Sequence, residues 1–131
     1  MAHVLLVDDS PEVRESIKDS LELVGYTVDE APDGKVACEL LAYRPYDLVI
    51  TDLWMPNIDG LDVLKHLRKT NPNMPVIAIS GGAPGRAPVD YSVALATTWG
   101  ADIVLHKPFD NDDLIDKAKN LLANYAARQN S

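Results

Sequence analysis

The sequence predicts an α/β fold in which one parallel five-stranded sheet lies between two layers of helices. Short apolar runs alternate with segments of helical periodicity five times along the 131 residues. The apolar runs are continuous rather than alternating, which is typical of parallel strands covered by helices on both faces. No linker or internal repeat divides the chain, so we expect one domain over residues 1–127 and a short C-terminal tail over 128–131.

The first strand and helix carry clear boundary signals. An apolar run over 4–7 predicts a buried strand, and a helix is expected over 11–24. Ser10 is the expected N-cap of that helix, Pro11 its first residue and Gly25 its stop signal. The same alternation predicts the later strand and helix pairs at 27–31 and 34–44, 48–51 and 61–69, 76–79 and about 91–98, and 103–105 and about 112–126.

Composition and charge argue against several classes of protein. The chain carries 20 acidic and 12 basic residues, a formal charge of −8, which disfavours direct binding to nucleic acid or to an anionic membrane. No apolar run has the length of a transmembrane helix and the N-terminus does not resemble a signal peptide, so we expect a cytoplasmic protein. The single cysteine, Cys38, can form neither an internal disulfide nor a thiolate metal cage.

Polar side chains follow four of the five predicted strands. Strand one ends in Asp8 and Asp9, strand three in Asp52, strand four in Ser80 and strand five in Lys107. With the strand order 2-1-3-4-5, strands one and three are neighbours, and the carboxyl ends of all strands meet at the edge where such sheets bind ligands. Each residue alone has an ordinary explanation as a turn or solvent-exposed group, but the five together predict a functional site.

The three acids predict a metal ion. Carboxylates about 5 Å apart repel one another by roughly 3 kcal/mol per pair at an effective dielectric of about 20, so a cation is needed among them. Oxygen ligands with room for water favour Mg²⁺, or Mn²⁺, whereas Ca²⁺ needs more protein ligands. The histidines His3, His66 and His106 show no ligand spacing, which makes a zinc site improbable.

These residues together resemble the receiver domain of two-component response regulators. In chain order, the residues that carry the resemblance are Asp8-Asp9, Asp52 followed by LWMPNIDG, Ser80, and Lys107-Pro108-Phe109. The resemblance covers nearly the whole chain and implies a flavodoxin-like (βα)5 fold, a three-layer αβα sandwich. It also implies a stand-alone, chemotaxis-type regulator whose Asp52 accepts a phosphoryl group from a sensor histidine kinase or a histidine phosphotransfer protein.

The resemblance further implies a role for each remaining site residue. Asp9 would bind Mg²⁺ directly and Asp8 through water or a hydrogen bond, with the backbone carbonyl of Trp54 as another ligand. Lys107 would pair with one phosphoryl oxygen and Ser80 would donate its hydroxyl to another. A carboxylate nucleophile needs no general base, because it is already ionised at neutral pH.

Three features near the site add to these expectations. The resemblance implies a cis peptide before Pro108. Many receivers have an aromatic residue three positions before the lysine, but Val104 stands here, which puts aromatic switching in doubt. The segment 81–90 contains three glycines and two prolines, is longer than usual for the family, and predicts a loop beside the site.

Other functions are less compatible with the sequence. An aspartyl phosphatase would need an acid at position 54, and a flavin or nucleotide carrier would need a glycine-rich phosphate loop after strand one. A pseudo-receiver that serves only as an interaction module is the remaining alternative. The expected output is binding of a downstream protein or onward transfer of the phosphoryl group rather than enzymatic turnover, and chemotaxis-like, relay and phosphate-sink roles stay open.

Overall fold

A computed structural model of the chain describes residues 2–53, 60–80 and 97–129. Five parallel strands form one sheet in the order β2-β1-β3-β4-β5, which confirms the predicted order. The strands are β1 (His3–Val7), β2 (Thr27–Ala31), β3 (Leu48–Asp52), β4 (Val76–Ser80) and β5 (Ile103–His106). β3 and β4 are buried at every position, as the continuous apolar runs predicted.

The described helices are α1 (Pro11–Leu23), α2 (Gly34–Tyr43), α3 (Gly60–Thr70) and α4 (Asn111–Gln129). Most element boundaries lie within one residue of their predicted positions, but α4 continues three residues beyond its predicted end. The loop predicted over 81–90 lies outside the described residues, as does most of the helix predicted near 91–98.

Two apolar clusters pack on the two faces of the sheet. Leu5 and Val7 of β1 belong to the cluster under α2 and α3, whereas Val4 and Leu6 belong to the cluster under α1 and α4. Successive residues of a strand point to opposite faces, so both sets of β1 side chains are fully buried. This arrangement confirms the predicted three layers of helix, sheet and helix.

The turn from β1 into α1 positions the first part of the site. The Ser10 hydroxyl accepts a hydrogen bond from the Val13 N–H at 3.3 Å, which caps the helix, and Pro11 is its first residue. Gly25, with φ of 93°, follows the end of α1 and allows the chain to turn back into β2. The first helix therefore starts directly after the two predicted acids.

The opposite end of the sheet is held by Arg68 of α3. Its guanidinium donates to the carbonyl oxygens of Pro72 at 2.5 Å, Met74 at 3.1 Å and Gly100 at 2.7 Å. Gly100 has a φ of +89°, and a Cβ there would lie 2.8 Å from the Arg68 Nε. In this way α3, the loop before β4 and the turn before β5 are joined.

None of the helices in the described ranges has both the length and the apolar character needed to cross a membrane.

Candidate functional site

Three acids converge at the carboxyl ends of the neighbouring strands β1 and β3. Asp8 and Asp9 follow β1, and Asp52 is the last residue of β3. One carboxylate oxygen from each lies within 4.8 Å of the others. The Asp8 and Asp52 side chains are buried, at 0% and 4% exposure, whereas Asp9 lies at the exposed rim. The structure thus brings together the three acids that the sequence singled out.

Lys107 is the positive group among these acids. Its Nζ lies 3.1 Å from the Asp52 Oδ2 and 3.7 Å from the Asp8 Oδ2, and its backbone N–H donates to the Ser80 carbonyl at 2.9 Å. The Lys107–Pro108 peptide is cis, as expected. One ammonium faces three carboxylates, so an excess of negative charge remains.

Burial and the neighbouring charges shift the pKa values of Asp8 and Lys107. Burial raises the pKa of Asp8 to about 6, and the charges of Asp52 and Asp9 add to this effect, against the Ser10 N–H and Lys107, which lower it. Burial by itself lowers the pKa of Lys107, but Asp52 and Asp8 raise it more, so the net shift is upward. The site therefore favours an added cation.

Two buried polar atoms at this edge have no hydrogen-bond partner among the described residues. They are the Oδ2 of Asp8 and the Oγ of Ser80, the last residue of β4, which is 1% exposed. Buried polar atoms nearly always have a partner, so a carboxylate oxygen and a hydroxyl without hydrogen bonds at the same edge of the sheet mark a ligand site. The carboxylate donors fit a hard divalent cation such as Mg²⁺, and the hydroxyl fits an anionic oxygen.

Comparison with known proteins agrees with this geometry. Residues 4–119 match the family described as the response regulator receiver domain. The chain belongs to this family. Receiver domains are signalling modules rather than enzymes of ordinary turnover, and an acid cluster such as Asp8, Asp9 and Asp52 is typical of their Mg²⁺ site.

Curated relatives match over most of this chain. Response regulator MprA of Mycolicibacterium vanbaalenii is 39% identical over 119 residues, which are 91% of this chain and 49% of the relative. The chain spans about half the length of the curated relatives it matches.

Solved structures confirm the flavodoxin-like fold of the receiver domain. The CheY-like receiver domain protein of Methanospirillum hungatei superposes with a TM-score of 0.89 at 26% identity and 98% coverage of both chains. The receiver domain of the Francisella response regulator 1452 gives a TM-score of 0.82 at 35% identity, covering 95% of this chain and 98% of the other.

The sequence also made predictions about Trp54 and Val104, and the structure describes only the second of these residues. Trp54, whose carbonyl was expected to bind the metal, lies outside the described residues of the receiver domain. Val104 lies half-buried on β5 and packs against the cluster under α2 and α3. A valine there has no aromatic ring to turn inward, so a switch of that kind is not available at this position.

Arg14 and Glu30 were missed by the sequence reasoning. The Arg14 Nη1 donates to the Asp8 carbonyl at 2.6 Å, and its Nε lies 3.4 Å from the Glu30 Oε1 on β2. A basic residue one turn into the helix that follows the two acids was the available signal. Glu30 lies inside β2, one residue before its end, and not after the strand, where the sequence analysis looked for polar side chains.

Proposed function

We propose that this receiver domain accepts a phosphoryl group on Asp52 from a phosphohistidine of a sensor histidine kinase or a histidine phosphotransfer protein. The observation that carries the proposal is the buried Asp52 carboxylate, which lies in the acid cluster with the Lys107 Nζ at 3.1 Å. The Asp8 Oδ1 accepts from the Ser10 N–H at 2.9 Å, which makes that oxygen a poorer nucleophile. Asp9 lies at the exposed rim.

The chemistry follows from the positions of these groups. An Asp52 carboxylate oxygen attacks the phosphorus in line, the phosphorus–nitrogen bond breaks, and the imidazole departs with the bonding electron pair. Phosphoryl transfer needs charge neutralisation on the equatorial oxygens more than it needs a base. Lys107 neutralises one oxygen, and the unpartnered hydroxyl of Ser80 donates a hydrogen bond to another.

Asp8, Asp9 and Asp52 form the proposed site for Mg²⁺, for which Mn²⁺ is a substitute. Asp9 and Asp52 would hold the ion directly and Asp8 through water or a hydrogen bond, with the Trp54 carbonyl retained as a predicted ligand. The bound cation supplies charge neutralisation for the acids and for phosphoryl oxygens. The spacing of the three carboxylates and the raised pKa of Asp8 support this assignment.

The proposed output is phosphorylation-dependent binding of a downstream protein, or onward transfer of the phosphoryl group. We place the domain at residues 1–127 and its action in the cytoplasm, without direct contact to nucleic acid or membrane. The chain has 20 acidic and 12 basic residues, and this net negative charge supports the absence of such contacts. A stand-alone role stays a prediction, since the curated relatives are about twice as long as the matched segment.

Phosphoramidate, whose phosphorus–nitrogen bond resembles that of phosphohistidine, provides the direct test. With Mg²⁺, intact mass spectrometry should show one added phosphoryl group on the parent and on the control Asp113→Asn, which replaces an exposed acid that pairs with Lys117. Asp52→Asn should show none, because the amide is not a nucleophile. Incorporation in Asp52→Asn at the parent level would refute the acceptor assignment. No incorporation in the parent would indicate a pseudo-receiver.

A further inference from the structure

Both backbone polar groups of Asp8 make hydrogen bonds. The Asp8 N–H donates to the Ala31 carbonyl at the end of β2, at 3.1 Å. The Asp8 carbonyl, which belongs to the Asp8–Asp9 peptide, accepts from the Arg14 Nη1 at 2.6 Å. A short hydrogen bond from a charged donor fixes the plane of this peptide and therefore the direction in which Asp9 leaves it.

Glu30 holds the Arg14 guanidinium in this position. Its Oε1 lies 3.4 Å from the Arg14 Nε, and its Oε2 lies 3.6 Å from the Lys18 Nζ. The Arg14 side chain is only 16% exposed, so the contact is shielded from solvent more than the Lys18 pair, at 34%. Arg14 thus links the turn after β1, helix α1 and strand β2, whereas Lys18, among the described residues, pairs with Glu30 and not with the turn.

Asp9 depends on its backbone for its position. Within the described ranges its carboxylate makes no hydrogen bond and it lies at the exposed rim, whereas Asp8 is held through the Ser10 N–H. We propose that Arg14 is a positioning residue for the acid cluster, which sets the affinity for the divalent cation by fixing the peptide between Asp8 and Asp9. This inference rests on the proposed metal site.

Charge and positioning predict opposite effects for the loss of Arg14. Removing a cation makes the potential at the acid cluster more negative, which by itself tightens the binding of a divalent cation. Releasing the peptide lets Asp9 move, which weakens binding, as the loss of groups that orient metal ligands commonly does. The sign of the change therefore separates the two explanations.

Mn²⁺ titration of the metal-free full chain, followed by the electron paramagnetic resonance signal of the free ion, measures this sign. Arg14→Gln should raise the Kd for Mn²⁺ about tenfold. The matched control is Lys18→Gln, which removes the other positive charge that faces Glu30 and leaves the turn after β1 unchanged. This variant should have the same Kd as the parent or a lower one. Arg14→Lys keeps the charge but cannot reach both the Asp8 carbonyl and Glu30, so it should raise the Kd by about threefold.

Unchanged or tighter Mn²⁺ binding by Arg14→Gln would overturn the inference. Absence of Mn²⁺ binding by the parent would instead overturn the proposed metal site itself. If Arg14→Gln does not fold, Arg14→Lys decides the matter, since a pure charge effect predicts the parent Kd for it. Melting temperatures measured in chelator report the folding of each variant independently of metal.

Phosphorylation by acetyl phosphate provides a second readout. The Mg²⁺ concentration for half-maximal rate should rise in Arg14→Gln by the same factor as the Kd, about tenfold, with the rate at saturating Mg²⁺ within about twofold of the parent. A merely structural role would lower the melting temperature and leave that concentration unchanged. A lower saturated rate at an unchanged half-saturating concentration would contradict the proposal.

Discussion

Replacing Asp8 with asparagine removes the carboxylate with the raised pKa from the acid cluster. The amide oxygen can still accept the hydrogen bond from the Ser10 N–H, at 2.9 Å in the parent, so the turn after β1 is retained. The variant loses a buried charge that the described residues compensate only in part. We therefore expect the metal-free domain to become more stable, although its proposed cation site is damaged.

The size of the effect follows from the pKa of Asp8. It is raised from 3.8 to about 6, so between these values the folded chain retains a proton that the unfolded chain has released. Stability therefore falls as the pH rises through this window, and the full penalty is present above about pH 7. At 1.36 kcal/mol per pKa unit the penalty is roughly 3 kcal/mol, equivalent to about 10 °C in melting temperature for a chain of this length.

Denaturant unfolding in chelator at several pH values tests this reasoning. Asp8→Asn should exceed the parent by roughly 3 kcal/mol at pH 7.5, and the two should converge at about pH 3, below the ordinary pKa of 3.8, where Asp8 is neutral in both states. Asp113→Asn, at an exposed pair, should not reproduce this pH-dependent gain. A gain that is the same at both pH values, or a loss at pH 7.5, would refute the assignment of the raised pKa to Asp8.

Two further predictions concern the far end of the sheet and the mouth of the site. Arg68→Met should lower the free energy of unfolding by about 2 to 3 kcal/mol, because three carbonyls lose their donor, while phosphorylation of the folded protein persists. A denaturant midpoint equal to that of the parent would contradict this. Trp54→Asn should shorten the half-life of phosphorylated Asp52, because the sequence predicts that the indole two residues on excludes the attacking water. Radiolabel decay no faster than in the parent would leave the indole without that role.

The fold could be predicted because β1, β3, β4 and β5 each contain a continuous apolar run bounded by local signals, whereas β2 carries two acids and follows from its place in the alternation of strands and helices. Ser10 acts through its hydroxyl, and Pro11 and Gly25 act through their backbone geometry; the structure places all three at the boundaries of α1 as predicted. The convergence of the acids was equally accessible. Parallel strands end at the same edge, so residues that directly follow strands must meet there once the strand order is known.

The long-range contacts of Arg14 and Arg68 could not be predicted in the same way. Arg14 meets Glu30 through the pairing of β1 with β2, and Arg68 reaches the carbonyl of Gly100, 32 residues away in the sequence. Neither pair has a fixed sequence spacing or a local backbone signal. Long polar side chains can turn in several directions from a helix, and only the packed structure decides which partner they reach.

Two aspartates of the same sheet show why the carboxyl-terminal edge is the functional one. Burial acts on Asp29 of β2 in the direction of a higher pKa, but hydrogen bonds from Tyr46 and Arg44 and the charge of His3 outweigh it, so its pKa is lowered. Burial also acts on Asp8, yet one of its oxygens has no donor in the described chain, and its pKa is raised to about 6. Asp29 therefore has enough donors to stabilise its charge, whereas the charge of Asp8 is only partly compensated by Lys107 and the Ser10 N–H. Since perturbed carboxylates of this kind concentrate at functional sites, the free energy that the fold does not recover at Asp8 is available for binding a cation.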